Sequence, residues 1–240
     1  MVACHCTEAN ITREHIEFAV KKGLVTYGVL MMSHMLSANE LLEQAKLMQE
    51  YGASGVILMD SAGAYLSDDV TEKVGKLVGG LSVQTGFHAH NNLGMAIANS
   101  IAAVNAGATI IDTTARGLGA GAGNCQLEVF VAVMEKMGIK TGLNVYQLMD
   151  NSEFIAKIMK KPQEISSIGL TSGLAGVFSG FAPHALKHAQ TFGLDPRDIL
   201  MELGKRKVIA GQEDLIIDVA VYLKNKKKAK DETDEIEALL

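Results

Sequence analysis

The first part of the chain alternates short apolar segments with longer segments whose apolar residues recur every three or four positions. The short segments are rich in β-branched residues and are typical of buried strands, whereas the longer ones are typical of helices that bury one face. Glycines such as Gly52 and Gly107 follow the helical segments, where a left-handed residue ends a helix. The pattern predicts five βα units, with strands over residues 2–6, 24–31, 55–59, 82–88 and 108–112 and helices over residues 12–22, 38–51, 67–78, 94–106 and 126–137.

Five parallel strands are compatible with an open doubly wound sheet or with the back portion of a TIM barrel, which needs eight units in roughly 250 residues. Met1 directly precedes the first predicted strand, so we expect the sequence to start inside a fold, which favours the barrel.

The strand pattern stops after residue 142, and helices are predicted over residues 145–160, 172–192, 196–205 and 213–224. We therefore predict an α/β protein in three parts. A partial TIM barrel of parallel strands over residues 1–142 precedes an all-helical domain over residues 143–224. A charged flexible tail follows over residues 225–240.

Composition narrows the function classes. Hydrophobic residues make up 48% of the chain and charged residues 20%, which is enough apolar material for a sizeable core. A net charge of −5 argues against a broad nucleic-acid surface, and no apolar run is long enough for a membrane span. Three cysteines are too few for a disulfide scaffold, and the N-terminus lacks the pattern of an export signal. We expect a cytoplasmic protein with a small-molecule substrate.

The strongest chemical motif is the pair His88 and His90 at the end of the fourth predicted strand. Residues at i and i+2 of a strand point to the same face, so both imidazoles would face the mouth of a barrel, where active sites form. Two imidazoles at one point are a common start of a divalent-metal site; the alternative is a pair of ordinary polar loop residues. Asp60 and Asp112, both at strand ends, are candidates for a third, acidic ligand, or equally for turn and cap residues.

The glycine-rich turn 117–124 follows the fifth predicted strand. It superficially fits a dinucleotide fingerprint, but helices follow it rather than a strand that ends in an acidic residue, so we reject that reading. The backbone amides of such a turn could still approach a carboxylate or phosphate at a helix start. Arg116, just before the turn, is either a charge partner for that anion or only a loop residue.

Other candidate residues have plain structural alternatives. Alternation places Cys4 and Cys6 on one face of a strand and His5 on the other, so the three do not converge on a metal, and the cysteines are expected to be buried. His34 either lines the same mouth or is structural. Ser61 either binds a substrate carboxylate or caps a turn.

Four segments carry a resemblance to a known family: Asp-Ser-Ala-Gly at 60–63, Gly-Phe-His-Ala-His-Asn-Asn-Leu-Gly at 86–94, Ala-Asn-Ser at 98–100 and Gly-Ala-Gly-Ala-Gly-Asn at 119–124. They resemble the metal-dependent barrel enzymes related to HMG-CoA lyase and isopropylmalate synthase. Within that group the chain is most similar to the 4-hydroxy-2-oxovalerate aldolases. Three segments indicate this: Met-Met-Ser-His-Met at 31–35, Ala-Gly-Gln-Glu-Asp at 210–214, and a glycine turn that lacks the Glu-Arg of the synthases. The resemblance runs from about residue 2 to residue 223.

This resemblance implies a class II aldol cleavage in aromatic hydrocarbon catabolism that gives pyruvate and acetaldehyde. A divalent ion, usually Mn²⁺, would be held by an aspartate and two histidines, which match His88 and His90. Ser61 matches the serine that binds the pyruvyl carboxylate. The resemblance also implies that His88 contacts the substrate. Asn124 matches an asparagine that reaches the metal in some relatives. The helical domain resembles one that helps form a channel and docks an acylating acetaldehyde dehydrogenase.

The sequence also departs from the family pattern. The family's metal aspartate, an adjacent arginine and a histidine base lie on an early barrel loop, and no Arg-Asp-Gly-like segment occurs here; the Arg197-Asp198 pair lies in the helical domain. We therefore identify no catalytic acid or base, expect the first three βα units to be missing, and expect weak metal binding and poor turnover from this chain alone. Phe178 stands where the family often has a tyrosine, so a hydroxyl is lost, and Ala210 replaces one of two paired glycines.

Two alternative functions remain at this point. The chain could be a non-catalytic or split-barrel subunit that complements another chain carrying the early loop. It could instead be a Claisen-type synthase that condenses acetyl-CoA with a 2-oxo acid, because the His-x-His and Gly-Asn segments are shared. Thiol release from acetyl-CoA would distinguish the synthase from the aldolase.

Overall fold

The protein is represented by a computed structural model that describes the backbone of residues 1–237 and the side chains of residues 1–229. Its single sheet has five parallel strands in the order β1-β2-β3-β4-β5, so each strand lies beside its neighbours in sequence. A doubly wound sheet reverses its strand order at a switch point, and this sheet does not, as expected for a segment of a barrel. The five strands confirm the predicted ones: Val2–His5, Tyr27–Met31, Gly55–Asp60, Gln84–Ala89 and Ile110–Asp112.

Helices follow the strands and cover one face of the sheet. One residue from each of β1 to β4 lies in a row across the sheet: Cys4 pairs with Leu30, Leu30 with Leu58 and Leu58 with Phe87. All four are buried in the larger apolar core. The helices of this unit are α1 (Arg13–Lys21), α2 (Ala38–Glu50), α3 (Ser67–Gly80), α4 (Ala96–Asn105) and α5 (Leu127–Lys136).

The C-terminal part of the described chain consists of helices alone. They are α6 (Val145–Ile158), α7 (Ser167–Ala175), α8 (Ala182–Phe192), α9 (Pro196–Lys205) and α10 (Leu215–Glu237). A second core of buried residues, among them Phe181, Ile199 and Ile216, joins the last of these helices. Val145 and Leu148 of α6 pack instead against the core of the sheet, so α6 belongs physically with the βα units. We use the name helical unit for α7 to α10.

One prediction about these helices is wrong. The predicted single helix 172–192 is two helices, because Gly176 adopts the left-handed conformation (φ 65°) at the end of α7 and a short 3-10 turn, Ser179–Phe181, precedes α8. The helix α10 continues to Glu237, through most of the predicted tail 225–240, whose flexibility stays a prediction; residues 238–240 lie outside the described chain. No helix in the described residues combines the length and apolarity needed to cross a membrane.

Candidate metal and substrate site

His88 and His90 converge at the carboxyl end of β4, as their spacing predicts. Their ring centroids are 5.0 Å apart and the rings are tilted by 54°. Only 9% of His88 and 7% of His90 is exposed. His88 lies beside Met59 of β3 on one side and Asp112 of β5 on the other. By strand alternation, the two rings lie on the opposite face of the sheet from Phe87 and the apolar core.

The Nδ1 atom of each ring is held by an oxygen from a neighbouring strand. His88 Nδ1 lies 2.8 Å from Asp112 Oδ2, and His90 Nδ1 lies 2.8 Å from the Asp60 carbonyl oxygen. Carbonyl and carboxylate oxygens only accept hydrogen bonds, so Nδ1 of each ring carries the proton. Neither Nε2 atom has a hydrogen-bond partner in the described part of the chain. Both Nε2 atoms are thus free for a cation, which is the arrangement usual for metal-binding histidines.

Neither aspartate serves as a third ligand. The Asp112 carboxylate accepts the hydrogen bond that orients His88, and this hydrogen bond lowers the pKa of Asp112. The Asp60 carboxylate accepts hydrogen bonds from the backbone N–H groups of Ala64 and Tyr65, at 2.9 and 3.1 Å, and closes a turn. Burial raises the pKa of Asp60 by more than these hydrogen bonds lower it, so that the pKa is about 6. Within the residues that the structure describes, no group of three His, Cys, Asp or Glu side chains could hold a metal ion.

Burial also keeps His90 in the form that a metal requires. Its pKa is lowered to about 4 by burial and, secondarily, by the neighbouring His88. At neutral pH His90 is therefore uncharged, and its Nε2 lone pair is available without the loss of a proton.

Asn124 lies across from His90 on the glycine-rich turn. Its backbone pairs with that of His90, and the bonds from Asn91 N to Gly123 O (2.8 Å) and from Cys125 N to Ala89 O (3.1 Å) fix the pairing. Asn124 Nδ2 donates to Leu118 O at 3.3 Å, whereas its Oδ1 is buried with no partner in the described chain. An unsatisfied buried oxygen costs about 1–3 kcal/mol. Two imidazole nitrogens and an amide oxygen, all without a partner in the described chain, are the ligand types that a divalent first-row ion takes, so the chemistry of the residues present fits such an ion.

Ser61 lies at the end of β3 and is completely buried. Its Oγ accepts a hydrogen bond from the Met32 N–H at 2.9 Å, and Met32 has a left-handed backbone (φ 55°). The hydroxyl thus supports the loop after β2, and its own proton has no acceptor among the residues that the structure describes. Its contact with a substrate carboxylate stays a prediction.

The glycine-rich turn is shaped by packing around Asn124. A Cβ on Gly119 would lie 2.5 Å from Asn124 Nδ2, so a larger residue would displace the amide. Arg116, before the turn, is held by two bonds from its backbone N–H to the Glu128 carboxylate (3.2 and 3.1 Å) and one from Nη1 to Ser152 Oγ (3.4 Å). Arg116 thus connects the turn to α5 and α6.

The remaining candidates lie elsewhere. Cys4 and Cys6 are buried free thiols whose pKa burial raises to about 12, and His5 points to the other face, 2.7 Å from Thr7 Oγ1. His34 Nε2 lies 2.9 Å from Gly176 O, so His34 contacts the helical unit rather than the histidine pair.

One residue of the site, Asn92, was not singled out by sequence reasoning. It is completely buried, and its side chain bonds to Ala62, Ala122 and Ser179, on three separate segments. Its place two residues after His90, inside a segment that carries the family resemblance, was the available signal.

Comparison with known proteins identifies the family. The HMGL-like family model matches residues 6–155. Two 4-hydroxy-2-oxovalerate aldolases, from Pectobacterium atrosepticum and Geobacillus thermodenitrificans, are 54% and 53% identical over 220 and 229 residues. The chain belongs to the HMGL-like family, among the 4-hydroxy-2-oxovalerate aldolases. The resemblance inferred from the motifs is thereby confirmed.

The matches cover most of this aldolase-family chain but less of its relatives. They include 91% and 95% of the chain and 64% and 67% of the two relatives, so the chain spans about two thirds of their length. A DmpG-like communication domain matches residues 163–225. In fold, the chain is similar to the N-terminal domain of a putative aldolase from Bacteroides vulgatus. That likeness has a TM-score of 0.68 and 23% identity over 79% of this chain and 63% of that one. The predicted fold class, TIM-barrel strands followed by a helical region, is confirmed.

Proposed function

We propose that this chain binds a divalent cation, Mn²⁺ in the first instance, through Nε2 of His88 and His90, and acts in the cleavage of 4-hydroxy-2-oxovalerate to pyruvate and acetaldehyde. The observation that carries the proposal is the occupation of both Nδ1 atoms by oxygen acceptors, which leaves both Nε2 atoms free. The names of the similar relatives support the choice of substrate.

The donor set suits such an ion. The Nε2 atoms of both histidines have no partner among the described residues, and Asn124, whose buried amide oxygen also has none, pairs through its backbone with His90. Imidazole and carbonyl ligands bind first-row divalent metals. A cation held there would supply Lewis-acid polarisation of the 2-oxo carbonyl. With no carboxylate ligand among the described residues, the site has less negative charge than one with an aspartate, and we expect weak binding.

The chain's own residues would handle one end of the substrate. The free proton of the Ser61 hydroxyl can be donated to the carboxylate of a 2-oxo acid, while the Met32 N–H keeps the hydroxyl oxygen in place. Cleavage then requires loss of the C4 hydroxyl proton, breakage of the C3–C4 bond as the aldehyde forms, and movement of charge onto the 2-oxo oxygen. Protonation of C3 from the base or solvent then gives pyruvate. We assign no base for the C4 proton to these residues and expect these 240 residues alone to turn over slowly or not at all.

Substrate binding is the direct test. Pyruvate is expected to bind the Mn²⁺-loaded chain and to displace Mn²⁺-bound water, seen as a fall in water-proton relaxation, and the substitution His88→Gln should abolish the effect. Pyruvate binding of equal strength without Mn²⁺ would contradict the proposal. Thiol release from acetyl-CoA with a 2-oxo acid would favour the synthase instead.

Turnover tests the second part. Pyruvate release from 4-hydroxy-2-oxovalerate, with Mn²⁺ and only these residues, is expected to be near background. Rapid steady release would show that the chain supplies the base itself. Activity that appears only after a second chain is added would support the split-barrel alternative.

We also propose that the helical unit docks an acylating acetaldehyde dehydrogenase. The communication-domain match supports this, as does a set of apolar side chains on α9 and α10 that are 39–47% exposed: Met201, Ile217, Val221 and Tyr222. Purified dehydrogenase is expected to co-elute with the chain, and Val221→Asp should prevent this. Val20→Asp, at a similarly exposed valine of α1, is the matched control. Equal effects of both substitutions, or no co-elution, would contradict the docking surface.

A further inference from the structure

The Asn92 side chain connects three segments around the histidine pair. Its Nδ2 donates to Ala62 O and to Ser179 Oγ, both at 2.8 Å, and its Oδ1 accepts from the Ala122 N–H at 3.0 Å. Ala62 follows Ser61, and Ala122 lies two residues before Asn124. One amide therefore fixes the loops on both sides of His90.

Ser179 brings the helical unit into this arrangement. It begins the 3-10 turn before α8 and is buried. A Cβ on Gly121 would lie 2.6 Å from both Asn92 Oδ1 and Ser179 Oγ, so the turn 117–124 is in close contact with both side chains. The position of the turn thus depends on a residue outside the βα units.

We propose that Asn92 and Ser179 are positioning residues that hold the turn 117–124, and with it the Asn124 amide, at the cation site. We call this pair the Asn92–Ser179 clamp; its role for a cation rests on the function proposed above. Asn124 Oδ1 has no other partner to fix it in the described chain. Its orientation therefore depends on the Nδ2 bond to Leu118 and on the placement of the turn.

Loss of the Ser179 hydroxyl removes an acceptor from a buried N–H of Asn92. Asn92 must then rotate to find another acceptor or leave that N–H unpaired, and either change loosens its bond to Ala122. Partners that orient metal ligands typically change metal affinity by 10–100-fold when removed. Because Ser179 acts through two intermediate residues, we expect about tenfold weaker Mn²⁺ binding, at the lower end of that range.

The test compares Ser179→Ala with Thr171→Val. Thr171 is a buried hydroxyl residue of α7 whose hydroxyl donates to Ser167 O within the same helix, so it controls for loss of a hydroxyl in the helical unit. The first readout is the side-chain amide NMR signal of Asn124 in metal-free protein. The second is the dissociation constant of Mn²⁺ alone. We expect Ser179→Ala to shift or broaden the Asn124 signal and weaken Mn²⁺ binding, and Thr171→Val to do neither.

Failure of the clamp and failure of the proposed function give different results. If Ser179→Ala lowers thermal stability but leaves the Asn124 signal unchanged, Ser179 is only structural and the clamp is refuted. If the unsubstituted chain binds no Mn²⁺, the proposed function fails, while the Asn124 signal still decides on the clamp. Asn92→Asp, which keeps the shape but removes both donors, should shift the same signal further than Ser179→Ala. A smaller shift would also contradict the clamp.

Discussion

The two imidazoles at the end of β4 obtain their orientation from the strands on either side. Asp112 of β5 holds His88, and the carbonyl of Asp60 in β3 holds His90. The His-x-His spacing predicted that both rings share a face, but not which oxygens would orient them. That depends on the register, which places Asp112 directly beside His88. Register is a tertiary property, so the sequence left Asp112 as either a ligand or a turn residue.

At the residue scale, Asp112→Asn tests the orienting bond. An amide can present its NH₂ group to Nδ1 and so favour the tautomer in which Nε2 carries the proton and cannot bind a cation. We expect Mn²⁺ affinity to fall about tenfold or more. Titration of Mn²⁺ with the free ion followed by electron paramagnetic resonance measures this. Asp68→Asn, an exposed carboxylate on α3, should leave the affinity unchanged; a similar loss there would indicate a general charge effect.

At the scale of elements, the βα repeats were predictable because each strand and helix has its own local pattern. All five predicted strands are present, and the helices of the βα units lie where the apolar periodicity placed them. The helix over 172–192 was wrong because its apolar pattern continues through Gly176, where the backbone turns left-handed. Whether a glycine ends a helix depends on how the next residues pack in the folded protein. The apolar periodicity of a single sequence does not carry this information.

The helix α7 illustrates that packing, since glycine lets it approach the loops of the site. A Cβ on Gly173 would lie 2.8 Å from Leu93 Cγ and 3.2 Å from Gly63 O. We expect Gly173→Ala to destabilise the protein by about 1–3 kcal/mol, because α7 or Leu93 must move. Urea unfolding provides the measurement.

The matched control is Gly75→Ala on α3. No atom lies within 4 Å of a Cβ built there, so alanine should stabilise the helix by about 0.5–1 kcal/mol. Stabilisation by both substitutions would show that α7 does not pack closely on these loops.

At the scale of the whole molecule, His34 makes one of the polar contacts between the βα units and the helical unit. Its Nε2 bonds to Gly176 O at the end of α7, while Nδ1 is buried with no partner in the described chain. Burial lowers the pKa of His34 from 6.5 to about 4. The folded state therefore resists protonation of His34 more than the unfolded state does. The stability that this contributes is complete above pH 6.5 and is lost as the pH falls from 6.5 towards 4.

The substitution His34→Gln tests this coupling. Glutamine can still donate to Gly176 O but does not titrate, so the loss of stability between about pH 7.5 and about pH 5 should be smaller in the variant. His90 has a shift of the same sign and Asp60 one of the opposite sign, but both are present in the two proteins and cancel in the comparison. Identical pH dependence of urea unfolding would show that His34 does not couple the units.

The central claim is that Nε2 of His88 and Nε2 of His90 bind one cation, and pulsed electron paramagnetic resonance of bound Mn²⁺ tests it most directly. We expect nitrogen-14 modulation from two directly bound imidazoles in the unsubstituted chain, and from one imidazole in each of His88→Gln and His90→Gln. Bound Mn²⁺ without nitrogen modulation, or modulation that either substitution leaves unchanged, would contradict the account.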